Sequence, residues 1–480
     1  MSPLSSTDQS PDRLYTAREP VFPRRVSGPF RTLKWWILAV CLGIYYLLPW
    51  IRWDRGPNLP DQAVLLDLAN RRFFFFWIEI WPHEFYFVAG LLIMAGLGLF
   101  LFTSALGRVW CGYLCPQTVW TDLFVLTERW IEGDRNKRVK LWNAKWDFHK
   151  TRLRVTKWAL WVLISVATGG AWVFYFADAP TLLGNLFTLQ AAPVAYATIL
   201  VLTLTTLILG GFMREQVCIY MCPWPRIQAA MMDEDTLTIG YREWRGEPRG
   251  KHRKSEGAEL LGDCIDCYAC VNVCPVGIDI RDGQQLACIT CGLCIDACDE
   301  VMEKTGKPRG LIDYMALSDE ARERAGAEPK PAWKHILRVR TLLYTALWSA
   351  VGVGLIVALF VRSEIDLTVS PVRNPIYVTL SDGSIRNAYE VRVRNMQGEA
   401  RDFAISVTPG DVFQVEVEGA ETGTFTVPAD ETDLKRVYVI ASPDSAPAQS
   451  QSTPLRIWLK DIAAEERAYS DTVFNGRVAR

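Results

Sequence analysis

Cys264-Ile-Asp-Cys267-Tyr-Ala-Cys270-Val-Asn-Val-Cys274-Pro275 and Cys288-Ile-Thr-Cys291-Gly-Leu-Cys294-Ile-Asp-Ala-Cys298 are two runs of one pattern, C-x2-C-x2-C-x3-C. Three thiolates spaced by two residues can wrap one corner of an iron–sulfur cube, and a fourth, three residues on, points away toward a neighbouring cube. The spacing predicts two [4Fe–4S] clusters with crossed ligands. One is expected on Cys264, Cys267, Cys270 and Cys298, the other on Cys288, Cys291, Cys294 and Cys274. A zinc module or a disulfide framework is the competing reading, but two runs in tandem favour iron and sulfur. The expected module is ferredoxin-like, α+β, and handles electrons one at a time.

The chain around these runs has 480 residues, enough for about three domains. Its net charge of −1 leaves no footprint for a polyanion, so nucleic acid is not an expected partner. Half the residues are hydrophobic and 19 are tryptophan, a load typical of water–lipid interfaces. The 13 cysteines fit metal ligation in a reducing compartment better than disulfides, and none follows Cys298.

A bilayer core needs roughly 20 mostly apolar residues as a helix. Five stretches qualify: residues 34–50, 85–106, 157–177, 191–213 and 341–361. A cleaved signal peptide is the alternative for the first, but no small-residue cleavage site follows it. The 107–156 loop is densely basic, with Arg135, Lys137, Arg138, Lys140, Lys145, Lys150, Arg152 and Arg154, whereas 178–190 has no Lys or Arg. The positive-inside rule then puts the N-terminus and both cysteine runs in the cytoplasm and the residues after 361 across the membrane. Arg52, Arg55, Arg71 and Arg72 oppose this orientation and are outweighed. Residues 71–87, interrupted by Pro82, read as an interfacial or re-entrant lead-in to the second span. Glu79, His83 and Glu84 there could contact a ligand or quinone, or simply rim an aromatic belt.

A second cysteine constellation sits at the span ends. Cys111-Gly-Tyr-Leu-Cys115-Pro116 follows the second span and Cys218-Ile-Tyr-Met-Cys222-Pro223 the fourth, 107 residues apart. Cysteines at i and i+4 share a helix face, and the proline after each pair disfavours helix at the second cysteine. Two such units side by side would gather four thiols at the membrane face. Thiolates, with Met221 as an additional thioether, suit Cu(I), zinc or iron–sulfur; a pair could also cycle to a disulfide. Plain packing between helices is the alternative, and it is the reading for Cys41, alone in the first span. All four histidines (His83, His149, His252, His335) lie outside the spans, and no C-x-x-C-H, G-x-G-x-x-G or P-loop occurs. Electrons are therefore expected from a separate cytoplasmic donor.

The domain plan that follows is a cytoplasmic tail (1–33), a four-span membrane domain (34–232), a cytoplasmic ferredoxin-like domain with its flanks (233–340), a fifth span (341–361) and an outer domain (362–480). The basic run at 249–254 reads as a collar on anionic lipid or a dock for an acidic donor. Residues 300–334 are charged and partly helical. The C-terminal segment alternates apolar and polar residues, as in Tyr389-Glu-Val-Arg-Val-Arg394, between turns such as Ser381-Asp-Gly383. About seven strands at this spacing suggest an immunoglobulin-like β-sandwich without a disulfide, with 442–453 as a flexible loop.

The combination of motifs resembles the FixG/RdxA/CcoG family of cytochrome c oxidase accessory proteins. The resemblance is carried by Trp81-Pro-His-Glu-Phe-Tyr-Phe87, Arg108-Val-Trp-Cys-Gly-Tyr-Leu-Cys-Pro-Gln117, Cys218-Ile-Tyr-Met-Cys-Pro-Trp224, the two cluster runs, Arg373-Asn-Pro-Ile-Tyr-Val378 and Ser381-Asp-Gly-Ser-Ile-Arg-Asn387. It covers the chain from about Tyr15 onward. Asp299 stands where a standard second cluster motif has proline, and 13 residues separate Cys274 from Cys288. The resemblance implies a multi-pass protein of the bacterial inner membrane with the C-terminal domain in the periplasm. It implies a role in building a cbb3-type oxidase by reducing Cu(II) to Cu(I), with Cys111, Cys115, Cys218 and Cys222 as the copper site. Oxidase subunits or copper-delivery proteins would be its partners, alongside membrane lipid. Two other readings stand beside this cupric reductase: an electron-transfer subunit feeding quinone or a partner oxidoreductase, and a non-catalytic assembly scaffold.

Overall fold

The computed structural model describes residues 20–56, 59–251, 261–362, 365–396, 399–420, 423–429 and 431–477. Two compact units emerge. One runs through Ile51 and then from Ala63 to Val353; the other takes Arg52–Gln62 and everything from Gly354. The apolar helices and the cysteine-rich segment thus pack as a single unit.

Four helices are long and apolar enough to cross a membrane: Pro29–Trp50, Tyr86–Leu106, Pro193–Met213 and Val339–Val361. They overlap the stretches expected as the first, second, fourth and fifth spans. The third expected span falls in Phe148–Val173, 26 residues long. Its first turns carry Lys150, Arg152, Arg154 and Lys157, and it is not among the four. Asp147 caps it by accepting from the Lys150 N–H at 2.7 Å. The 178–190 connection contains a short helix, Ala179–Phe187, capped by Asp178.

The 71–87 segment, expected as an interfacial or re-entrant lead-in, is built mainly of strand. Val64–Asp67, Arg72–Phe75 and Ile78–Ile80 form a three-stranded antiparallel sheet, followed by one 3-10 turn at Pro82–Glu84. The aromatic run pairs as strand because alternate side chains can bury on one face; Phe74, opposite Leu65, is 1% exposed. Glu79 pairs with Arg72 at 3.3 Å. Glu84 accepts from the Trp81 N–H at 3.0 Å and so caps this turn. The side chain of His83 lies outside the described residues, as does 252–254 of the basic run.

The C-terminal unit is a two-sheet sandwich. One sheet runs Phe413–Val417, Thr432–Ala441, Ile385–Asn395 and Ile365–Pro371, with Val378–Thr379 paired to the third. The other runs Thr424–Val427, Arg401–Thr408, Thr453–Asp461 and Arg467–Phe474. That is nine strands among the described residues, against about seven expected. Strict alternation in Ile385–Asn395 sends Ile385, Tyr389, Val391 and Val393 into the core. The Tyr389 hydroxyl donates to the Val473 carbonyl at 2.8 Å, joining the sheets. The 442–453 loop is not loose: Ala446–Gln449 is helical and Ala448 is 1% exposed. The Arg477 and Gly476 N–H groups donate to the carbonyls of Ala448 and Ser450.

In the first unit the Pro116–Glu132 helix carries a buried ion network. Glu128 pairs with Arg138, with Arg214 at 2.5 Å and with Lys157 at 3.4 Å. Glu132 meets Arg154 and Lys157, each at 3.0 Å. Burial alone would raise the Glu128 carboxyl, but the flanking Arg214 and Arg138 outweigh it and hold it at about 2. Nearly two turns back, Asp122 ties this helix to the first apolar helix through Arg31 at 3.1 Å and Lys34 at 3.2 Å. Removing one partner from a buried network strands the others. Glu128→Ala is therefore expected to destabilise the fold by about 3–5 kcal/mol, read as a lowered unfolding midpoint in detergent. The exposed control Glu303→Ala should change it by less than about 1 kcal/mol.

Candidate functional site

The two cysteine runs fold alike. Their residues correspond at an offset of 24, and both place left-handed residues at equivalent points: Asp266 (φ 54°) with Thr290 (φ 54°), and Tyr268 (φ 57°) with Gly292 (φ 74°). Three of these four are not glycine, and such backbone costs about 1–3 kcal/mol each unless its surroundings impose it. Successive amides in turns of this kind face a common concavity, which suits an anionic cluster. Each run then enters a helix: Ala269–Val273 carries Cys270 and ends just before Cys274, and Leu293–Lys304 carries Cys294 and Cys298.

Two small cavities result. One, of about 340 Å³, is lined by Cys264, Cys267, Cys270 and Cys298, with Arg281 and Tyr268 beside them. The other, of about 360 Å³, is lined by Cys274, Cys288, Cys291 and Cys294 within a wall of Ile, Val and Leu; Cys270 also touches it. The fourth cysteine of each run thus lies at the other run's cavity. Burial pushes the Cys270 and Cys288 thiols up to about 12 and Cys274 to about 11, and it raises Cys294 and Cys298 strongly. Such thiols become ligands only when a cationic centre offsets the desolvation. Four sulfurs around a small, mostly apolar hollow fit a [4Fe–4S] group in each. The cavities differ in setting. Cys267 is exposed, and Arg281, stacked over Tyr268 at 4.3 Å, bonds Asp266 and Asp279 at the first. The second has no charged side chain in its wall.

The C-x3-C-P units also share one geometry. At an offset of 107, Gly107 (φ 60°, ψ −124°) corresponds to Arg214 (φ 48°, ψ −114°). Each unit then makes a short helical turn closed by a bond to the fifth residue back, Cys115 N–H to Trp110 O at 2.9 Å and Cys222 N–H to Val217 O at 2.8 Å. Both second cysteines are extended ahead of their proline (ψ 128° and 124°). The four thiols come within electrostatic reach of one another, with the Arg108 guanidinium nearby. Burial pushes the Cys218 thiol up to about 12, helped by the neighbouring Cys115 and Cys111, and it raises Cys111 as well. Met221 is exposed. Among the described residues no three His, Cys, Asp or Glu side chains converge on a single ion.

Sequence reasoning missed what joins the two systems. A Cβ on Gly112 would fall 2.6 Å from the Ile289 carbonyl oxygen and 3.1 Å from the Cys291 Cα. The Tyr113 hydroxyl donates to the Cys291 carbonyl at 3.0 Å, and the Arg108 N–H donates to Thr290 Oγ1 at 3.2 Å. Cys111 and Cys291 belong to one buried cluster with Ile289 and Leu293. The Cys111 thiol donates to Gln228 Oε1 at 3.1 Å; Gln228 is fully buried and donates to Thr103 Oγ1 at 3.3 Å. Gly112, inside a motif already singled out, was the available signal. Gln228 had none.

Three family models match this sequence. Residues 213–317 match a 4Fe-4S dicluster domain, residues 87–138 a 4Fe-4S binding domain, and residues 355–477 the Ig-like fold at the C-terminus of FixG. The chain is 68% identical to protein RdxB of Cereibacter sphaeroides, covering 99% of this chain and 100% of that one. It is 65% identical to protein RdxA of the same organism (94% and 96% covered) and 53% identical to the nitrogen fixation protein FixG of Rhizobium meliloti (93% and 87%). A crystallised FixG-related protein from Vibrio parahaemolyticus aligns with 24% of this chain and all of its own at 18% identity, with a TM-score of 0.22, too low to bear on the fold.

Gly112→Ala places a methyl against backbone, which cannot rotate away. It is expected to displace the 289–291 loop and to remove or broaden the EPR signal of the second cluster while leaving that of the first. Two unchanged signals would show that the contact is not needed for the second cavity.

Proposed function

The chain belongs to the FixG/RdxA family, and from that premise we propose that it is a membrane-bound iron–sulfur protein that reduces Cu(II) to Cu(I) during assembly of a cbb3-type oxidase. The observation that carries the reading is the packing of Cys111, Gly112 and Tyr113 against the Ile289–Cys291 backbone. It makes the pocket of the second cysteine run and the four-thiol site neighbours in one rigidly packed core. Bound [4Fe–4S] groups would supply single-electron transfer. Cys264, Cys267, Cys270 and Cys298 would hold one, and Cys274, Cys288, Cys291 and Cys294 the other.

The chain's own residues set a direction. Exposed Cys267 and the adjacent Arg281 offer the first cavity to a separate donor, while the apolar wall of the second excludes water. Arg108 and the Tyr113 hydroxyl brace the backbone of the inner loop against the thiol site. Cys111, Cys115, Cys218 and Cys222, with Gln228 holding Cys111, would receive the copper substrate. Thiolates favour the reduced ion, so the ligand set draws Cu(II) + e⁻ → Cu(I) forward. In this reading the basic 107–156 stretch and both cluster pockets face the cytoplasm and the sandwich faces the periplasm, available to oxidase subunits or copper-delivery proteins.

A second reading has its own support. The 4Fe-4S binding model that matches residues 87–138 spans Cys111 and Cys115, which favours a further iron–sulfur centre there and a polyferredoxin that feeds quinone or a partner oxidoreductase.

Purified, dithionite-reduced protein freed of excess reductant is expected to convert Cu(II) to Cu(I), read with a Cu(I)-specific chelator. Replacing Cys111, Cys115, Cys218 and Cys222 by serine should abolish the conversion while leaving the iron content unchanged. Loss of a third cluster's worth of iron in that variant would establish the polyferredoxin reading. Conversion that survives the substitution would move copper away from these thiols.

A further inference from the structure

A cavity of about 1160 Å³, mouth included, opens beside the buried ion network, between the Phe148–Val173 helix and the end of the Pro193–Met213 helix. Its walls combine indole rings and cations, and nothing above uses it.

Three features define its chemistry. The first is charge. Lys150, Arg154, Lys157 and Arg214 line it with Glu128 as the one carboxylate in its wall. In the network behind them Arg138, Arg154, Lys157 and Arg214 share Glu128 and Glu132, four cations to two carboxylates. Surplus buried charge of one sign is costly unless a counter-ion joins it. The second is donor bias. Trp161 lines the cavity and is 2% exposed, yet its indole N–H has no acceptor among the described residues. Lys157 and Arg214 stack over its ring at 4.8 and 5.1 Å. The third is position. Lys150, whose Nζ bonds the Trp142 and Ala144 carbonyls, lies near Trp146 at the polar end of an otherwise apolar helix. Tryptophan and basic residues together mark a water–lipid boundary.

We propose that this cavity binds a phosphate anion, carried there as the headgroup of an acidic phospholipid. The phosphate oxygens would supply the acceptor that the Trp161 N–H lacks and a counter-charge for the surplus cations, and the acyl chains would leave along the apolar part of the same helix.

The test uses the full chain in detergent, with its lipids exchanged for phosphatidylglycerol or phosphatidylcholine and retained lipid counted by native mass spectrometry. Phosphatidylglycerol should be retained and phosphatidylcholine washed away. Trp161→Phe keeps the ring against Phe124 and removes only the N–H; Lys150→Met removes a cation without stranding a carboxylate. Each is expected to weaken retention by about tenfold or more, the usual worth of a hydrogen bond to a charged group, with circular dichroism unchanged. If millimolar inorganic phosphate raises the unfolding temperature of wild type but not of the variants, and no lipid is retained, the anion site stands and the lipid source falls. Equal retention of the two lipids, or retention and phosphate response alike in wild type and both folded variants, would overturn the proposal.

Discussion

Where Gly112 has only hydrogen, the carbonyl of Ile289 stands at 2.6 Å from the position of any Cβ. That approach is the constraint on which the first unit turns. It lets Tyr113 reach the Cys291 carbonyl and Arg108 reach Thr290, so the loop that presents one cysteine run is pinned to the turn that presents another set of thiols. The opposite side is pinned as well. Asp296, between Cys294 and Cys298, accepts from the N–H groups of Phe30 and Arg31 at the start of the first apolar helix, and Gly28 leaves it the room. Carboxylates at a helix start are favourable there. The cysteine-rich segment is therefore held by helix ends on two sides, and it joins the helices in one compact unit.

The same helix ends concentrate charge. From composition alone, Arg138, Lys150 and Arg154 count as surface charges of a basic loop. In the fold they are 1%, 5% and 7% exposed, because Glu128 and Glu132 on one face of Pro116–Glu132 draw the two arginines inward and the Trp142 and Ala144 carbonyls hold Lys150. A positive-inside argument uses such residues only as a tally. Their burial turns them into a network that fixes the angles between helices and leaves a net positive charge beside a tryptophan-lined cavity.

Much was legible beforehand, for local reasons. The two C-x2-C-x2-C-x3-C runs and the paired C-x3-C-P units are short-range patterns, so their backbone shapes repeat faithfully, down to left-handed Asp266 and Thr290 and to the matched turns at Gly107 and Arg214. The sandwich was legible from alternation, since a two-residue period sorts side chains onto two faces. The secondary structure of the 71–87 segment was not: its aromatics suit a helix lead-in and a strand alike, and pairing with Val64–Asp67 makes it strand. The 442–453 stretch, rich in Ser, Pro and Ala, reads as loose until Gly476 and Arg477 bond to it from the end of the chain.

By itself the sequence determined which residues could be ligands, where apolar helices run, and that the chain belongs with iron–sulfur membrane proteins, since each of these rests on spacing or composition within a few tens of residues. Only the tertiary structure decided that Cys111 shares a core with Cys291. It also decided that Gln228, 117 residues away, receives the Cys111 thiol. These are contacts between segments far apart in the chain. Their partners are chosen by close packing and by the need to satisfy buried polar groups, and neither leaves a mark on the local pattern.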